Sequence, residues 1–304
     1  MDQKYFSDSL AKIIPALWLG AALLLSACGS THPNGPTPIV DTTPVKTPVK
    51  FGLSLGGGAA RGFAHIGVIQ VLEENGIKPD LVVGTSAGSL VASIYATGKD
   101  GRALQKIAEE MDEASITDWT LPFFNRGGVL RGDAYAKYVD TLVNHKLIEQ
   151  SNLPLGIVAT DLKTGHGVLF RRGDIATAVR ASSAVPGIFP PVKIASVDYV
   201  DGGLASPVPV RFARQMGATV VLAVDISSAP DGESSDGTLS ILLKTFSIMA
   251  KSINDFELKN ADVMVRPALV GVSSADFTAK KRAIEAGRAA MLAELPKLKA
   301  LLAQ

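Results

Sequence analysis

The sequence predicts an α/β protein with a mostly parallel sheet covered by helices on both faces. Three observations predict it. From about residue 51 onward, short apolar runs alternate with longer helical patterns, the signature of parallel strands joined by helical crossovers. Runs such as Leu81-Val82-Val83 and Val220-Val221-Leu222-Ala223-Val224 are short and continuously apolar, as buried strands are. Two strand-to-helix junctions, at residues 56–62 and 84–88, are rich in glycine.

The whole chain fits that class. Its 304 residues carry 30 Lys and Arg against 29 Asp and Glu, and 47% are hydrophobic. That composition suits a globular domain, and near neutrality gives no reason to expect nucleic acid as a partner.

Residues 1–27 read as a signal peptide outside the fold. Lys4 and Lys12 flank a polar start, residues 13–25 are apolar apart from a break at Pro15, and Leu25-Ser26-Ala27-Cys28-Gly29 follows. The apolar stretch is too short to span a bilayer comfortably, and small residues before a cleavage point mark export. A Cys directly after Leu-Ser-Ala resembles the lipobox of bacterial lipoproteins. The resemblance implies cleavage before Cys28, lipidation of its thiol and new amino group, and anchoring in the cell envelope. Gly29, rather than Asp, resembles an outer-membrane sorting signal if the source is Gram-negative. Two or more acyl chains anchor a protein stably where one does so only marginally. Cys28 is the only cysteine, which excludes an intrachain disulfide and, once lipidated, a thiol catalyst or thiolate metal site. Residues 28–50 contain Pro33, Pro36, Pro38, Pro44 and Pro48 and read as a linker leaning towards polyproline extension. The structured domain is expected over residues 51–304.

Residues 51–55 read as the first strand, 63–75 as a helix with Ile66, Ile69, Val71 and Leu72 inward, and 81–83 as the second strand. Helices follow at 89–96 and 101–111. Residues 118–131 are irregular, with Trp119, Leu121, Phe123 and Phe124 close together. They are expected either to pack in the core or to line an acyl-chain channel. Arg131-Gly132-Asp133 is expected to cap a helix at 134–143. A strand at 155–160 and a hairpin partner at 165–170 precede a helix starting at Asp174. After a turn-rich segment at 182–191, a strand at 197–200 ends in Asp201-Gly202-Gly203. A helix at 207–216, a parallel strand at 219–225, a polar loop at 229–238, a helix at 240–259, a last strand at 262–265 and a C-terminal helix at 279–302, weakened near Pro296, complete the chain.

Two motifs carry chemistry. Gly84-Thr85-Ser86-Ala87-Gly88 lies between a strand and a helix, the context of a nucleophile elbow. There a tight turn pushes the Ser hydroxyl out of the sheet, and Gly84 and Gly88 leave room for the helix to fold back over the strand. Gly56-Gly57-Gly58-Ala59-Ala60-Arg61-Gly62 has three possible uses. The dinucleotide spacing fails because Arg61 stands where a third Gly is needed, and a P-loop lacks its Lys-Ser/Thr. An oxyanion hole, built from bare backbone N–H groups, is the use that also explains the elbow.

A serine needs a base at neutral pH. His32 lies in the linker, His65 in the first helix, His145 after a helix end and His166 in a hairpin turn. None follows the acid late in the chain as an α/β-hydrolase triad requires. Surface or capping roles are expected for them, and a triad would require His65, His145 or His166. Asp201, at a strand end before two glycines, is the better candidate base.

The glycine loop, the elbow and Asp201-Gly202-Gly203, in this order and spacing, resemble the patatin-like phospholipases. Ala181-Ser182-Ser183-Ala184-Val185-Pro186-Gly187 resembles a further block of that family. Ala159-Thr160-Asp161-Leu162 and residues 261–267 resemble the bacterial RssA-type branch related to neuropathy target esterase. The resemblance implies a three-layer α/β/α fold and a Ser-Asp dyad, with Ser86 as nucleophile, Asp201 as base and N–H groups around Gly57 and Gly58 as the oxyanion hole. Gly56, Gly62, Gly84, Gly88, Gly202 and Gly203 complete the motifs, and Arg61 is expected to orient the loop. The glycine loop is one residue longer than in patatin itself, which leaves the choice of oxyanion donors open by one residue. No metal or other cofactor is implied. The implied substrates are phospholipids, lysophospholipids or other acyl esters, reached at a membrane through lipidated Cys28. Readings from other classes are a tethered binding or signalling module with a vestigial site, and a Ser-dependent acyltransferase.

Overall fold

The predicted alternation is found in a computed structural model that describes residues 48–119, 128–227 and 237–304. The expected signal peptide, Cys28 and residues 29–47 of the linker lie outside the described residues. So do Leu121, Phe123 and Phe124, and residues 228–236 of the polar loop.

The strands are β1 (Phe51–Leu55), β2 (Leu81–Thr85), β3 (Leu155–Asp161), β4 (Gly167–Phe170), β5 (Val192–Ile194), β6 (Val197–Asp201), β7 (Val220–Val224) and β8 (Val263–Val265). They form one sheet in the order β5-β6-β3-β2-β1-β7-β8, with β4 also on β3. The centre is parallel: β3 with β2, β2 with β1, β1 with β7, and β7 with β8. The β3–β4, β3–β6 and β5–β6 pairs are antiparallel.

Helices α1 (Phe63–Glu74), α2 (Ala87–Ala96), α3 (Gly101–Glu110), α4 (Glu113–Ile116), α5 (Asp133–Leu142), α6 (Ile175–Ser182), α7 (Val210–Gln215), α8 (Thr238–Glu257) and α9 (Lys280–Leu302) connect or follow the strands. Two cores sit on the two faces of the sheet. Successive strand residues alternate between them because side chains in a strand point to opposite faces. Val220, Leu222 and Val224 of β7 join the core under α1, α2, α3, α6 and α9, whereas Val221 and Ala223 join the one under α7. The architecture is therefore three layers, helix over sheet over helix.

Several expectations are corrected. The first helix buries every residue from Phe63 to Leu72 rather than one face, because α9 lies across its outer side. Gly67 of α1 abuts the Ile284 carbonyl, and Gly287 of α9 abuts the Ala64 carbonyl, so the two backbones meet without side chains between them. Helix α7 starts at Val210 rather than at 207, since Pro209 pushes Val208, the residue before it, out of the helical region. Strand β5 was not expected. Helix α5 is not capped by its own Asp133. The carboxylate of Asp118 accepts from Gly132 N (2.6 Å) and Ala134 N (3.0 Å), while Gly132 takes the left-handed conformation at φ 84°.

Candidate active site

β2 ends at Thr85, paired with Val158 of β3. The next residue of β3, Ala159, pairs with Asp201, the last residue of antiparallel β6. Since β4 pairs with β3 residues 157–160, overlapping both contacts, β2 and β6 share the opposite edge of β3. Their C-terminal ends therefore meet head to head, and Ser86 and Asp201 come from strands that point at each other. The Thr160 hydroxyl donates to the Asp201 carbonyl (2.8 Å) and fixes that end.

Ser86 adopts φ 51°, ψ −122°, a backbone conformation that non-glycine residues avoid and that is stored at functional sites. This is the geometry of a nucleophile elbow, and the side chain is half-buried. The turn is possible because a Cβ on Gly84 would strike the Gly88 backbone, and one on Gly88 would strike the Leu55 carbonyl. The backbone N–H of Ser86 donates to the Ser182 hydroxyl at 2.8 Å. That hydroxyl in turn donates to the Val158 carbonyl at 2.5 Å. Helix α6, capped by Asp174 through Thr177 N, delivers Ser182 from its last turn. Two residues on, the Ala184 carbonyl accepts from Asp201 N at 3.0 Å. The end of α6 thus holds both strand ends. The sequence alone assigns Ser182 no role; a small polar residue ending a helix beside two motif strands is the signal it offers.

Asp201 is 7% exposed. Its Oδ1 accepts from Gly203 N at 2.7 Å. Its Oδ2 is buried and makes no hydrogen bond of full geometry; the Ser86 hydroxyl is near enough to favour the charged form. Burial dominates and pushes the carboxyl up to about 6, against the opposing pull of Gly203 N–H and Ser86. A desolvated carboxylate beside a serine hydroxyl is a stronger base than one in water.

The glycine loop lies against the elbow: a Cβ on Gly57 would come within 3.2 Å of the Ser86 Cβ, and one on Gly62 within 2.9 Å of the Ala87 Cβ. The expected donor set is corrected here. The Gly57 N–H is engaged by the Pro207 carbonyl at 2.9 Å, so it is not free for an oxyanion. Among the described residues the N–H groups of Gly58 and Ala59 donate to no acceptor. Ala59 sits at φ 49° and Gly58 at φ 164°. Arg61 Nε donates to the Val272 carbonyl (2.9 Å) and ties the loop to the segment before α9.

None of the described histidines, His65, His145 and His166, completes a triad in this geometry. His65 corrects the expectation of a surface or capping residue: it is fully buried, and its Nε2 donates to the Gly56 carbonyl at 2.8 Å. Burial lowers its pKa to about 4, so it stays neutral and braces the glycine loop. His145 pairs with Asp140 at 2.6 Å on the surface beyond α5. His166 is exposed in the β3–β4 turn. Among the described residues no group of three or more His, Cys, Asp or Glu side chains is placed to hold a metal ion.

The family model of the patatin-like phospholipases matches residues 53–214, more than half of the chain and all three motifs. An uncharacterized NTE-family protein of Mycobacterium tuberculosis is 32% identical over 203 residues, covering 67% of this chain and 56% of that protein. Patatin-like phospholipase domain-containing protein 6 of Mus musculus is 34% identical over 184 residues, covering 58% of this chain and 13% of that protein. The chain thus spans about half, or less, of the length of these curated relatives. The crystal structure of VipD from Legionella pneumophila aligns with a TM-score of 0.55 at 16% identity, covering 82% of this chain and 67% of VipD, a likeness of fold. A mostly parallel sheet between helical layers, with a glycine loop against a strained serine turn and an aspartate at the end of β6, accords with the family model, and the model match together with the mycobacterial relative shows that the chain belongs to the patatin-like phospholipase family.

Proposed function

We propose that the protein is a serine acyl hydrolase acting on phospholipids, lysophospholipids or related esters. The reading rests on the head-to-head arrangement of β2 and β6, which sets the Ser86 hydroxyl beside the buried Asp201 carboxylate. Ser86 Oγ attacks the ester carbonyl carbon and its proton passes to Asp201. The tetrahedral oxyanion is held by the N–H groups of Gly58 and Ala59. Collapse expels the alcohol, which takes the proton from Asp201, and leaves an acyl-Ser86. Water then gives a proton to Asp201 and attacks the acyl carbonyl. Collapse frees the fatty acid, and the proton returns to Ser86. Loss of one oxyanion donor costs roughly 10²–10³-fold in rate in serine hydrolases. We further propose that Cys28 is lipidated and holds this domain at the cell envelope, in the outer membrane if the source is Gram-negative.

The test is hydrolysis of p-nitrophenyl esters by the full chain in detergent, with Ser86→Ala and Asp201→Asn. Turnover by either variant at the wild-type rate would refute the dyad. Labelling of wild type by a fluorophosphonate, lost in Ser86→Ala, is expected of an enzyme; a folded protein that takes no label would favour a binding module.

A further inference from the structure

An apolar slot opens beside Ser86. Its mouth is formed by Ala59 of the glycine loop and Ala87, the residue after Ser86. From there it runs between α1, α2 and α3 and encloses about 460 Å³ of free space, the open mouth included. Every residue that lines it is apolar. It is also narrow, since the centre of a water molecule has about 60 Å³ in which to move.

The direction of the slot follows from the helices. On α2 the lining residues Ala87, Leu90, Val91 and Ile94 recede from Ser86 along one face. Helix α3 runs antiparallel to α1. Its first residue, Gly101, bonds to Glu73 and Gln70 at the far end of α1, whereas the Met111 carbonyl accepts from Lys280 Nζ, which lies over the ring of Phe63 at the near end. Ile94 and Leu104, 3% and 2% exposed, therefore close the inner end, and Met111 and Phe277 border the outer one. A packing defect of the core would be sealed. This slot is continuous with the exposed side of Ala59, next to the open Gly58 and Ala59 N–H groups.

We propose that the slot binds the single acyl chain that Ser86 receives, and that Ile94 and Leu104 limit its length. The proposal rests on the reading of Ser86 as the acylated residue. A carbonyl carbon bonded to Ser86 Oγ, with its oxygen towards Gly58 and Ala59, has the slot as the apolar exit for its alkyl tail. A lipid headgroup finds no polar partner along the slot, and its width admits one chain rather than two. From Ala87 to Ile94 the helix advances about 10 Å at roughly 1.5 Å per residue. An extended alkyl chain with bonds of about 1.5 Å advances roughly 1.25 Å per carbon. The slot thus accommodates an acyl chain of roughly eight carbons before the wall at Ile94 and Leu104.

The test uses the full chain in detergent and p-nitrophenyl acetate, butyrate, octanoate and hexadecanoate. Each buried methylene is worth about fourfold in binding, so kcat/KM is expected to rise from acetate to octanoate and to fall for hexadecanoate. Ala108→Leu, which narrows the slot midway, should reduce the octanoate-to-acetate ratio at least tenfold. Leu104→Ala, which opens the inner end, should move the optimum to longer chains, and it tests the same slot by removing bulk should Ala108→Leu fail to fold. A chain-length profile that Leu104→Ala leaves identical to wild type overturns the slot while acetate turnover persists. Absence of acetate turnover in the wild type would instead refute the hydrolase reading itself.

Discussion

Asp201→Asn should change how stability depends on pH, and in a direction that the wild type conceals. The Asp201 carboxyl is raised by burial from 3.8 to about 6 in the folded state. Its folded form therefore holds a proton that the unfolded form has lost. The stability it contributes is fully present below pH 3.8 and is lost as pH rises through 6. At 1.36 kcal/mol per unit this is roughly 3 kcal/mol. His65 acts in the opposite sense. Burial lowers it from 6.5 to about 4, so its contribution is present above pH 6.5 and lost as pH falls through 4, again by about 3 kcal/mol. The two contributions nearly cancel between pH 4 and 7. Asp201→Asn removes one of them, and its amide oxygen still accepts from Gly203 N–H. Urea denaturation from pH 4 to pH 8 should then show the variant losing about 3 kcal/mol on acidification while the wild type changes little. The difference between the two, rather than either curve alone, reports Asp201. Parallel curves for the two proteins would refute the desolvated carboxylate. With it would go the reason to expect an acid limb near pH 6 in the kcat/KM profile of the wild type.

Ser182→Ala would leave the half-buried Ser86 N–H without its acceptor, so a loss of about 1 kcal/mol in urea denaturation is expected together with a fall in kcat. His65→Leu removes the donor that braces Gly56 and should reduce kcat for an ester at least tenfold; His65→Gln, which keeps an N–H at that position, should retain more activity, and equal activities would contradict the bracing role. Asp118→Ala should cost about 1 kcal/mol by removing the cap of α5, whereas Asp133→Ala, which touches no capping N–H, should cost little when both are compared by thermal melting.

The parallel half of the sheet was legible because its information is local. A strand buried on both faces writes itself as a short apolar run, and a glycine at a strand-to-helix turn marks a backbone contact no side chain can enter. Ser86, Asp201 and the glycine loop stand out as candidates in that way. What was missed depends on residues far apart in the chain. The burial of His65 follows from α9 covering α1, a contact carried by Gly67 and Gly287 more than 200 residues apart. The cap of α5 comes from Asp118, fourteen residues before Gly132, while an Asp stood in the expected position and took no part. The engagement of Gly57 by Pro207 joins the first loop to a segment 150 residues later. No local pattern distinguishes a glycine whose N–H is free from one whose N–H is held.

Among the described residues, the absence of a suitably placed histidine has a topological explanation. In a purely parallel sheet, every strand carries its C-terminal end to the same rim and then leaves through a loop, so a base beside an elbow serine must come from a loop and needs reach. Here β6 runs antiparallel and ends on the edge of β3 where β2 stops. Its last residue enters the site in the plane of the sheet, where a short side chain suffices. That position is also dry, because the end of α6 closes over it through Ser182 and Ala184. Burial raises the carboxylate to about 6, into the range in which imidazole ordinarily works. In the proposed mechanism the antiparallel insertion therefore does two things with one residue: it fixes the base against the nucleophile, and it removes the solvent that would leave an aspartate too weak a base for that role.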